Sequence, residues 1–412
     1  MPAPDVDPLG TAEWLCSPAG DEARVRAAAL ADEVGGDPLR AAARLRGTGL
    51  PPDQASAALD QVVLHRLARE RGMAPGPGML LTRDGLEAAT GPVVARHRAD
   101  LIRASGARRV LDLTGGLGFD TRALTDAGLE VQAIERDPVI ARYLAHNCPT
   151  AHVVNADATD PSVVPGLLAE LAPTDVVFVD PARRDPHGAR EATTARARPE
   201  RDPERWSPPW SWVAAIPHPR IAVKAAPAFR PPEGWQAQWV SVDRTVVECA
   251  TYSWDATGHS RSAAIVLRGT LRGVIPAGVA SESFAEWVGT SVHEVDPAVS
   301  RAGSLAALAA ELDLRPLGPD SSWLTGDHDV SHPALRSFRV IAELDGPPRE
   351  RRRRLSSLGI THASVKCRDV AVQPQQVLRD LGLLEGSGPV IAVTRSREAT
   401  MMLLAEPIQP VS

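Results

Sequence analysis

An α/β fold built on a doubly wound parallel sheet is predicted by two observations on the sequence. Residues 110–113 read as a buried strand, and a glycine-rich turn follows this strand at residues 114–118. Acidic residues stand at or just after the ends of four successive strands, the first at Asp112 and the last at Asp180. Both features are typical of a sheet that holds a ligand in a crevice at the carboxyl edge of its strands.

The glycine-rich turn lies within Val110-Leu111-Asp112-Leu113-Thr114-Gly115-Gly116-Leu117-Gly118-Phe119-Asp120. Its glycines let the backbone turn sharply beneath a ligand and begin a helix. A lone glycine cluster also occurs in ordinary tight turns. The interpretation therefore depends on the strand ends that follow.

Each following strand end adds a polar group suited to a nucleoside. Glu135 ends a strand at residues 131–134 and comes about twenty residues after the first strand, a spacing suited to two ribose hydroxyls. Asp157 follows a strand at residues 152–155 and can accept a hydrogen bond from an exocyclic amine such as that of adenine. The strand at residues 175–179 then delivers Asp-Pro-Ala-Arg-Arg to the same edge.

With these motifs in this order, the chain resembles the class I S-adenosylmethionine-dependent methyltransferases from about Leu81 to Arg268. The resemblance implies S-adenosylmethionine as the cofactor and a Rossmann-like core of seven strands. In that family the segment before the first strand helps to close the cofactor pocket, which here includes Thr82, Arg83 and Thr90. The cofactor residues that it implies are Asp112, Thr114, Gly115, Gly116, Gly118, Glu135, Arg136, Asp157, Ala158 and Asp180. Thr114 departs from the pattern, because many members have glycine there.

The Asp-Pro motif resembles the (D/N)-P-P-(Y/F/W) motif of amino-directed methyltransferases, whose first residue accepts a hydrogen bond from the target amine. Here Ala182 replaces the second proline and Arg183 replaces the aromatic residue. An arginine can stack through its guanidinium plane or bind a phosphate. Methyl transfer needs mainly a well-positioned nucleophile, so direct in-line transfer is expected. The predicted catalytic residues are Asp180, Pro181, Arg183 and Lys224.

Two of these residues keep alternative interpretations. Asp180 is also compatible with a plain strand-end cap. Lys224 ends the predicted fifth strand, where it either pairs with Asp180, holds a substrate phosphate or reaches solvent. A covalent mechanism like that of the uracil C5-methylating enzymes needs a cysteine after this strand. The nearest cysteine, Cys249, lies further along the chain, in the region of the sixth strand, so the covalent mechanism is disfavoured.

Four segments are predicted along the chain: a helical region at 1–78, the methyltransferase core at 79–270, a connecting region at 271–345 and a C-terminal domain at 346–412. Residues 239–242 and 263–267 are expected to be the sixth and seventh core strands. The C-terminal pattern of strand 338–344, helix 348–358, strand 363–370, helix 373–381 and two last strands resembles a bacterial methyltransferase family with a small α+β THUMP-like domain. THUMP domains proper bind RNA, so the resemblance implies an RNA substrate.

Basic and aromatic side chains that could contact RNA lie in the loop after Asp180 and in the C-terminal domain. The candidates are Arg184, Arg190, Trp206, Arg351, Arg352, Arg354, Lys366 and Arg368. Arginines on one helix face suit a phosphate backbone, and tryptophans suit unpaired bases. The alternatives are a solvated charged face and tryptophans that pack on the sheet.

Composition limits the remaining possibilities. The net charge of −6 carries no general nucleic-acid signature, and the four cysteines form no C-x-x-C pair that would suggest a disulfide framework or a metal site. The first residues lack the pattern of a signal peptide, and no apolar run is long enough to span a bilayer. A cytoplasmic protein is expected. Of 45 Lys and Arg residues only Lys224 and Lys366 are lysines, which hints at places where arginine does not fit.

The sequence therefore predicts an S-adenosylmethionine-dependent methyltransferase that methylates a base in structured RNA, either tRNA or rRNA. One alternative is a methyltransferase for a small molecule or a protein. The other is an RNA-binding protein that keeps the cofactor fold without turnover.

Overall fold

The computed structural model describes residues 7–35, 37–183, 200–278, 284–319, 321–396 and 399–408. The chain divides into two compact units. The first comprises Met1–Gln236 and Ala250–Ala256, and the second comprises Ala237–Cys249 and Thr257–Ser412.

The first unit begins with helices that start at prolines, except for the fifth, which starts at Arg83. Their bounds are α1 Pro8–Leu15, α2 Pro18–Glu33, α3 Pro38–Arg46, α4 Pro52–Glu70, α5 Arg83–Ala88 and α6 Pro92–Ala104. Asp7, Ser17 and Asp37 cap the first three helices by accepting hydrogen bonds from backbone N–H groups of the first turn. A proline at the first helical position loses no hydrogen bond, so this combination fixes where each helix begins.

Two buried side-chain amides connect the helical region to the glycine-rich turn. Gln61 on α4 exchanges hydrogen bonds with both backbone groups of Leu81, each at 2.9 Å. Asn147 accepts from the Leu80 N–H at 2.7 Å and donates to the carbonyls of Leu80 and Leu117. Because Leu117 belongs to the glycine-rich turn, the segment before α5 is fixed against that turn.

A parallel sheet forms the centre of the first unit. The elements that follow α6 are β1 Arg109–Asp112, α7 Phe119–Asp126, β2 Glu130–Glu135, α8 Pro138–Asn147, β3 His152–Asn155, α9 Val164–Leu168, β4 Val176–Val179, α10 Trp210–Ala214 and β5 Ile221–Ala225. The strand order is β3-β2-β1-β4-β5 with parallel pairing throughout. The α/β class that the sequence predicts is confirmed.

The second unit contains a larger share of antiparallel strands. The next elements are β6 Gln236–Val242, β7 Thr245–Tyr252, β8 Arg261–Leu267, β9 Thr270–Pro276, β10 Ser291–Val295, α11 Pro297–Ala302, α12 Leu305–Glu311, β11 Arg315–Pro316 and β12 Trp323–Gly326. The last ones are β13 Leu335–Glu343, α13 Pro348–Ser357, β14 His362–Cys367, α14 Pro374–Leu381, β15 Leu384–Arg395 and β16 Thr400–Pro407. The strands from β10 to β16 form a sheet in the order β11-β12-β10-β13-β16-β15-β14.

The C-terminal succession of strands and helices matches the sequence-based expectation, but the count of core strands does not. Strand β7 was not predicted, so residues 263–267 belong to the eighth strand along the chain rather than the seventh. The first residues of β7 are mostly exposed and its last five are all buried, so β7 lacks the alternation that marks a half-buried strand. The four predicted segment boundaries remain a proposal.

Candidate active site

The carboxyl ends of the parallel strands place polar side chains at one edge of the first-unit sheet. Asp112 ends β1, Glu135 ends β2, Asp180 follows β4 and Lys224 lies one residue before the end of β5. In a sheet of this topology the edge beyond the carboxyl ends is where ligands bind.

Asp112 holds the glycine-rich turn in place through two hydrogen bonds of its carboxylate. One carboxylate oxygen accepts from the Thr114 N–H at 3.1 Å, and the other accepts from the Thr121 hydroxyl at 2.6 Å. Its side chain is buried, and burial raises the pKa of Asp112 to about 7 although both hydrogen bonds oppose the rise. Asp112 therefore holds the turn in shape through contacts inside the protein.

The glycines make one side of the turn tightly packed and leave the other side open. A Cβ at Gly115 would lie 2.5 Å from Leu144 Cδ2, and one at Gly118 would lie 2.6 Å from Cys148 Sγ. Gly118 also has a φ of +87°, a conformation that favours glycine. At Gly116, by contrast, a Cβ would meet only the Thr114 carbonyl, at 3.9 Å. The turn therefore has space beside Gly116 in which a ligand could approach the backbone closely.

Thr114 connects the ends of two neighbouring strands. Its hydroxyl oxygen accepts a hydrogen bond from the Asp180 N–H at 2.6 Å. A glycine at this position would lack that contact. The departure from the family pattern therefore adds a connection between the glycine-rich turn and the Asp-Pro motif.

Glu135 and Asp157 differ in their hydrogen bonds. Glu135 accepts from the Gly116 N–H at 3.0 Å and from the Asp137 N–H at 2.9 Å, and burial raises its pKa against these hydrogen bonds. Asp157 uses Oδ1 to accept from the hydroxyl and N–H of Thr159, and these bonds lower its pKa. In the described part of the chain Oδ2 of Asp157 has no hydrogen-bond partner. That oxygen remains able to accept from a ligand.

Two further predicted cofactor residues, Arg136 and Ala158, lie beside these acids in the sequence. Arg136 follows Glu135 and donates to the Ser207 hydroxyl at 3.2 Å. Ala158 is buried in the apolar cluster that covers one face of the sheet. The Asn155 side-chain amide donates a hydrogen bond to the Glu135 carbonyl at 2.8 Å and so connects the ends of β3 and β2.

Asp180 and Lys224 form an ion pair at the ends of β4 and β5. Lys224 Nζ lies 2.7 Å from Asp180 Oδ2 and also donates to the Ala88 carbonyl at 3.0 Å. The Lys224 side chain is 6% exposed and that of Asp180 is 23% exposed. Burial raises the pKa of Asp180, and the Lys224 ammonium opposes the rise. The arrangement leaves a fixed, partly accessible carboxylate beside the glycine-rich turn.

A second buried ion pair lies next to this one and was not predicted. Arg98 on α6 pairs with Asp120 at the start of α7, and Asp120 also accepts from the Thr90 hydroxyl at 2.6 Å. The Arg98 guanidinium lies over the Phe178 ring on β4, 5.2 Å from its centroid. The only sequence signal was Asp120 itself, directly after the glycine-rich turn. Nothing in the sequence of α6 marks Arg98 as its partner.

One predicted contact with RNA, that of Trp206 in the loop after β4, is wrong. Trp206 is buried, packs its ring on Phe229 at 5.3 Å and donates its indole N–H to the Glu200 carbonyl. It is part of the core and has no exposed face on which a base could stack. Pro181 is also buried, and Arg183 is half-buried with its carbonyl bonded to the Glu200 N–H. The predicted residues Arg184 and Arg190 lie outside the described residues.

In the second unit the predicted arginines of α13 differ in exposure. Arg352 and Arg354 are exposed, and Arg351 is half-buried. Arg352 donates from Nε to the Asp380 carbonyl at 2.8 Å. The exposed guanidinium groups of this helix are available to a phosphate backbone.

Lys366 and Arg368 are not simple surface charges. Both bind Glu294, a residue that was not predicted, at 2.7 Å for Lys366 and at 2.9 Å for Arg368. Glu294 is 3% exposed. Burial alone would raise its pKa, and the two cations more than offset that effect and hold the pKa of Glu294 below its usual range.

The structure gives no support to a covalent mechanism. Cys249 is fully buried in β7, and burial raises the pKa of its thiol far above the usual range. A thiol in that setting is a poor nucleophile because the thiolate is the reactive form.

Among the described residues no group of His, Cys, Asp and Glu is arranged to hold a metal ion. In the same residues no helix is both long and apolar enough to cross a membrane.

A glycine-rich turn with acidic strand ends on a sheet of this order defines a class I S-adenosylmethionine-dependent methyltransferase. Residues 335–407 match the family model described as THUMP domain-like, and residues 7–68 match that of a domain of unknown function. An uncharacterized S-adenosylmethionine-dependent methyltransferase of Mycobacterium tuberculosis is 30% identical over 337 residues, which cover 77% of this chain and 84% of that protein. The chain belongs to this methyltransferase family and carries a THUMP-like domain.

Two further similarities agree with this assignment. The ribosomal RNA small subunit methyltransferase J of Alkalilimnicola ehrlichii is 32% identical over 162 residues, which cover 35% of this chain and 57% of that protein. The crystal structure of a proposed methyltransferase from Porphyromonas gingivalis W83 superposes with a TM-score of 0.69 at 20% identity. The superposition covers 87% of this chain and 92% of the Porphyromonas gingivalis protein, which shows that the two proteins share their fold. S-adenosylmethionine is the cofactor of this enzyme family.

Proposed function

We propose that this methyltransferase methylates a base in structured RNA, tRNA or rRNA, by direct in-line transfer in the cytoplasm. The observation that carries the proposal is the Asp180–Lys224 ion pair, which fixes a partly exposed carboxylate beside the glycine-rich turn. A fixed acceptor can orient an amine so that its lone pair points at the methyl group. No covalent intermediate is required.

The residues around the turn would hold the cofactor as follows. The open side of Gly116 would admit the methionine end, with Gly115 and Gly118 shaping the turn. Glu135 would accept from the ribose hydroxyls, and the Oδ2 atom of Asp157 would accept from the adenine amine. When bound, S-adenosylmethionine supplies the electrophilic methyl group.

Within the same edge, Asp180 would accept a hydrogen bond from the reacting amine. Lys224 would keep its carboxylate ionised and in place, because a buried cation at 2.7 Å stabilises the charged form. Arg183 would contact the substrate on the outer side of the Asp-Pro motif. Thr114 would hold the backbone of Asp180 against the glycine-rich turn.

An RNA substrate is supported from outside the active site. One relative is named a ribosomal RNA methyltransferase, and the C-terminal residues match a THUMP domain-like family model. The exposed arginines Arg352 and Arg354 add positive charge to that domain despite the net charge of −6 for the whole chain. A phosphate backbone is the ligand that such a helix suits best.

The direct experiment uses labelled methyl groups. Total RNA from a deletion strain is incubated with the purified protein and radiolabelled S-adenosylmethionine, and the labelled nucleoside is then identified. RNA from the parent strain is the matched control, because its target position is already methylated. Label in the deletion-strain RNA and little in the parent RNA is expected. Protein and small-molecule extracts of the deletion strain are incubated separately in the same way. Label in one of these extracts but not in the RNA would move the assignment to the first alternative, and no label anywhere would favour a binding protein.

A further inference from the structure

The second-unit sheet carries a group of charges arranged around one buried carboxylate. Glu294 lies on β10, where its backbone is opposite that of Arg336 on β13. Residues opposite each other in adjacent strands project from the same face of a sheet. Lys366 on β14 and Arg368, which directly follows β14, both contact Glu294, so their charged groups lie beside its carboxylate. We refer to Glu294, Arg336, Lys366, Arg368 and Arg244 as the Glu294 cluster.

The cluster contains more positive charge than Glu294 and the nearby Asp296 neutralise. The Arg244 guanidinium lies close enough to Glu294, Asp296, Arg336 and Arg368 to interact with all of them electrostatically. Burial and the neighbouring Arg336 lower the pKa of Arg244. Three cations, Lys366, Arg368 and Arg244, therefore interact with the carboxylates of Glu294 and Asp296. Arg336 adds a fourth cation beside Arg244. Asp296 is itself occupied by the Ser241 hydroxyl and the Ala298 N–H.

Two of the cations have donors to spare. Arg368 uses Nε and Nη2 on the same oxygen of Glu294, and its side chain is 43% exposed. Arg336 is exposed, and its guanidinium has no hydrogen-bond or ion-pair partner within the residues that the structure describes. An arginine fixed on one side by a buried carboxylate and open on the other is suited to a phosphate, because less side-chain freedom is lost on binding.

We propose that the Glu294 cluster is a binding site for phosphate groups of the RNA substrate. Glu294 fixes Lys366 and Arg368, and the exposed Arg336 and Arg368 contact the phosphates. The site lies on the sheet face rather than on the arginine-rich helix α13, and two of its members, Glu294 and Arg244, precede the THUMP-like match. This inference rests on the proposed function, because it names the surface that holds the same substrate.

Strand β13 offers a matched control for the test. Arg339 lies three residues after Arg336 and therefore projects from the opposite face of the strand. It is exposed and pairs with Asp329 at 2.7 Å. The variants Arg336→Gln and Arg339→Gln each remove one positive charge from the same strand, so they differ in the face that loses it.

The experiment measures the affinity of the full-length protein for a fluorescein-labelled RNA hairpin as a function of salt. Arg336→Gln should weaken binding severalfold and reduce the slope of log K against log salt by about one, as expected for a lost phosphate contact. The double variant Arg336→Gln/Arg368→Gln should reduce the slope by about two. Arg339→Gln should retain the wild-type slope. Thermal unfolding of each variant controls for folding.

The outcomes separate this inference from the proposed function. If the wild type binds the hairpin steeply with salt but Arg336→Gln behaves like Arg339→Gln, the cluster is structural and only this inference fails. If the wild type shows no salt-dependent RNA binding, the proposed RNA substrate fails as well. Equal affinity for poly-L-glutamate would overturn the assignment to RNA, because the cluster would then be a general anion-binding surface.

Discussion

Lys224 and Asp180 form a partly buried contact of 2.7 Å between the ends of two adjacent parallel strands. The same ammonium donates to the Ala88 carbonyl, so the last residue of α5 is connected to the Asp-Pro motif. Burial alone would favour the protonated form of Asp180, and the adjacent cation opposes that effect. The pair therefore determines both the position and the charge of the carboxylate.

Replacement of Lys224 by methionine should change the pH dependence of methyl transfer. Without the ammonium the pKa of Asp180 rises further above its usual value, so the ionised form is present only at higher pH. The acid limb of the single-turnover rate profile should move to higher pH, and the rate at neutral pH should fall. Arg26→Gln, which breaks an exposed ion pair within α2, is the control variant. An unchanged acid limb in a folded Lys224→Met protein would show that the pair does not set the ionisation of Asp180.

Two glycines with nearly the same φ allow the cost of backbone strain to be measured separately from the cost of overpacking. Gly118 has φ +87° and a Cβ there would lie 2.6 Å from Cys148 Sγ, whereas Gly106 has φ +86° and no atom within 4 Å of its Cβ position. Gly106→Ala should cost about 1 kcal/mol, from backbone strain alone. Gly118→Ala should cost about 2–4 kcal/mol, because overpacking adds to the strain. Urea unfolding measures the free energy of unfolding of both variants. Equal losses of stability would mean that the glycine-rich turn accommodates the extra methyl group without an overpacking cost.

Replacement of Glu135 by alanine should weaken S-adenosylmethionine binding by about 1–3 kcal/mol. The ribose hydroxyls lose their acceptor, and the Gly116 N–H loses its hydrogen bond to the same side chain. Glu130→Ala is a matched control, since Glu130 lies on the same strand with an exposed side chain. Isothermal titration calorimetry measures the affinity. If both variants bind the cofactor like the wild type, Glu135 is not the ribose acceptor.

The succession of the first strands along the chain and the convergence of their acidic ends could be predicted from the sequence, because parallel strands place their carboxyl ends at one edge. The pairing of Lys224 with Asp180 was one of three interpretations, and the structure supports it with a direct contact. The role of Glu135 in holding the Gly116 N–H was not predicted, since the contact depends on the final shape of the turn.

Other features depended on partners distant in sequence. The burial of Trp206 depends on Phe229, and the pairing of Arg98 with Asp120 joins two helices. Lys366 and Arg368 resembled a simple basic patch because their partner, Glu294, is about seventy residues away in a region expected only to connect domains. Charge patterns along the chain indicate where cations lie but not which anions neutralise them.

Glu294 predicts a specific dependence of stability on pH. Its pKa in the folded protein lies below the usual value, so its contribution to stability is complete above about pH 4.5 and is lost as the pH falls through the folded pKa. Glu294→Gln should cost about 2–3 kcal/mol at pH 7, because two cations lose a buried partner. The difference from the wild type should shrink in urea unfolding at low pH. A difference that stays constant down to about pH 3 would contradict this account.

In the proposed mechanism the Asp180 carboxylate orients the group that receives the methyl. Asp180→Asn preserves the shape of the side chain but removes the charge that pairs with Lys224. An interaction made mainly in the transition state should affect turnover more than binding, and the loss of one such partner commonly lowers turnover by about a hundredfold or more.

The most direct test is the single-turnover rate of methyl transfer to the target RNA by the Asp180→Asn variant, with cofactor affinity measured in parallel. The rate should be lower by about a hundredfold with nearly unchanged affinity for S-adenosylmethionine, because Glu135 and Asp157 are expected to hold the nucleoside. A wild-type rate would remove Asp180 from the mechanism, and a joint loss of cofactor binding would make it a wall of the cofactor pocket.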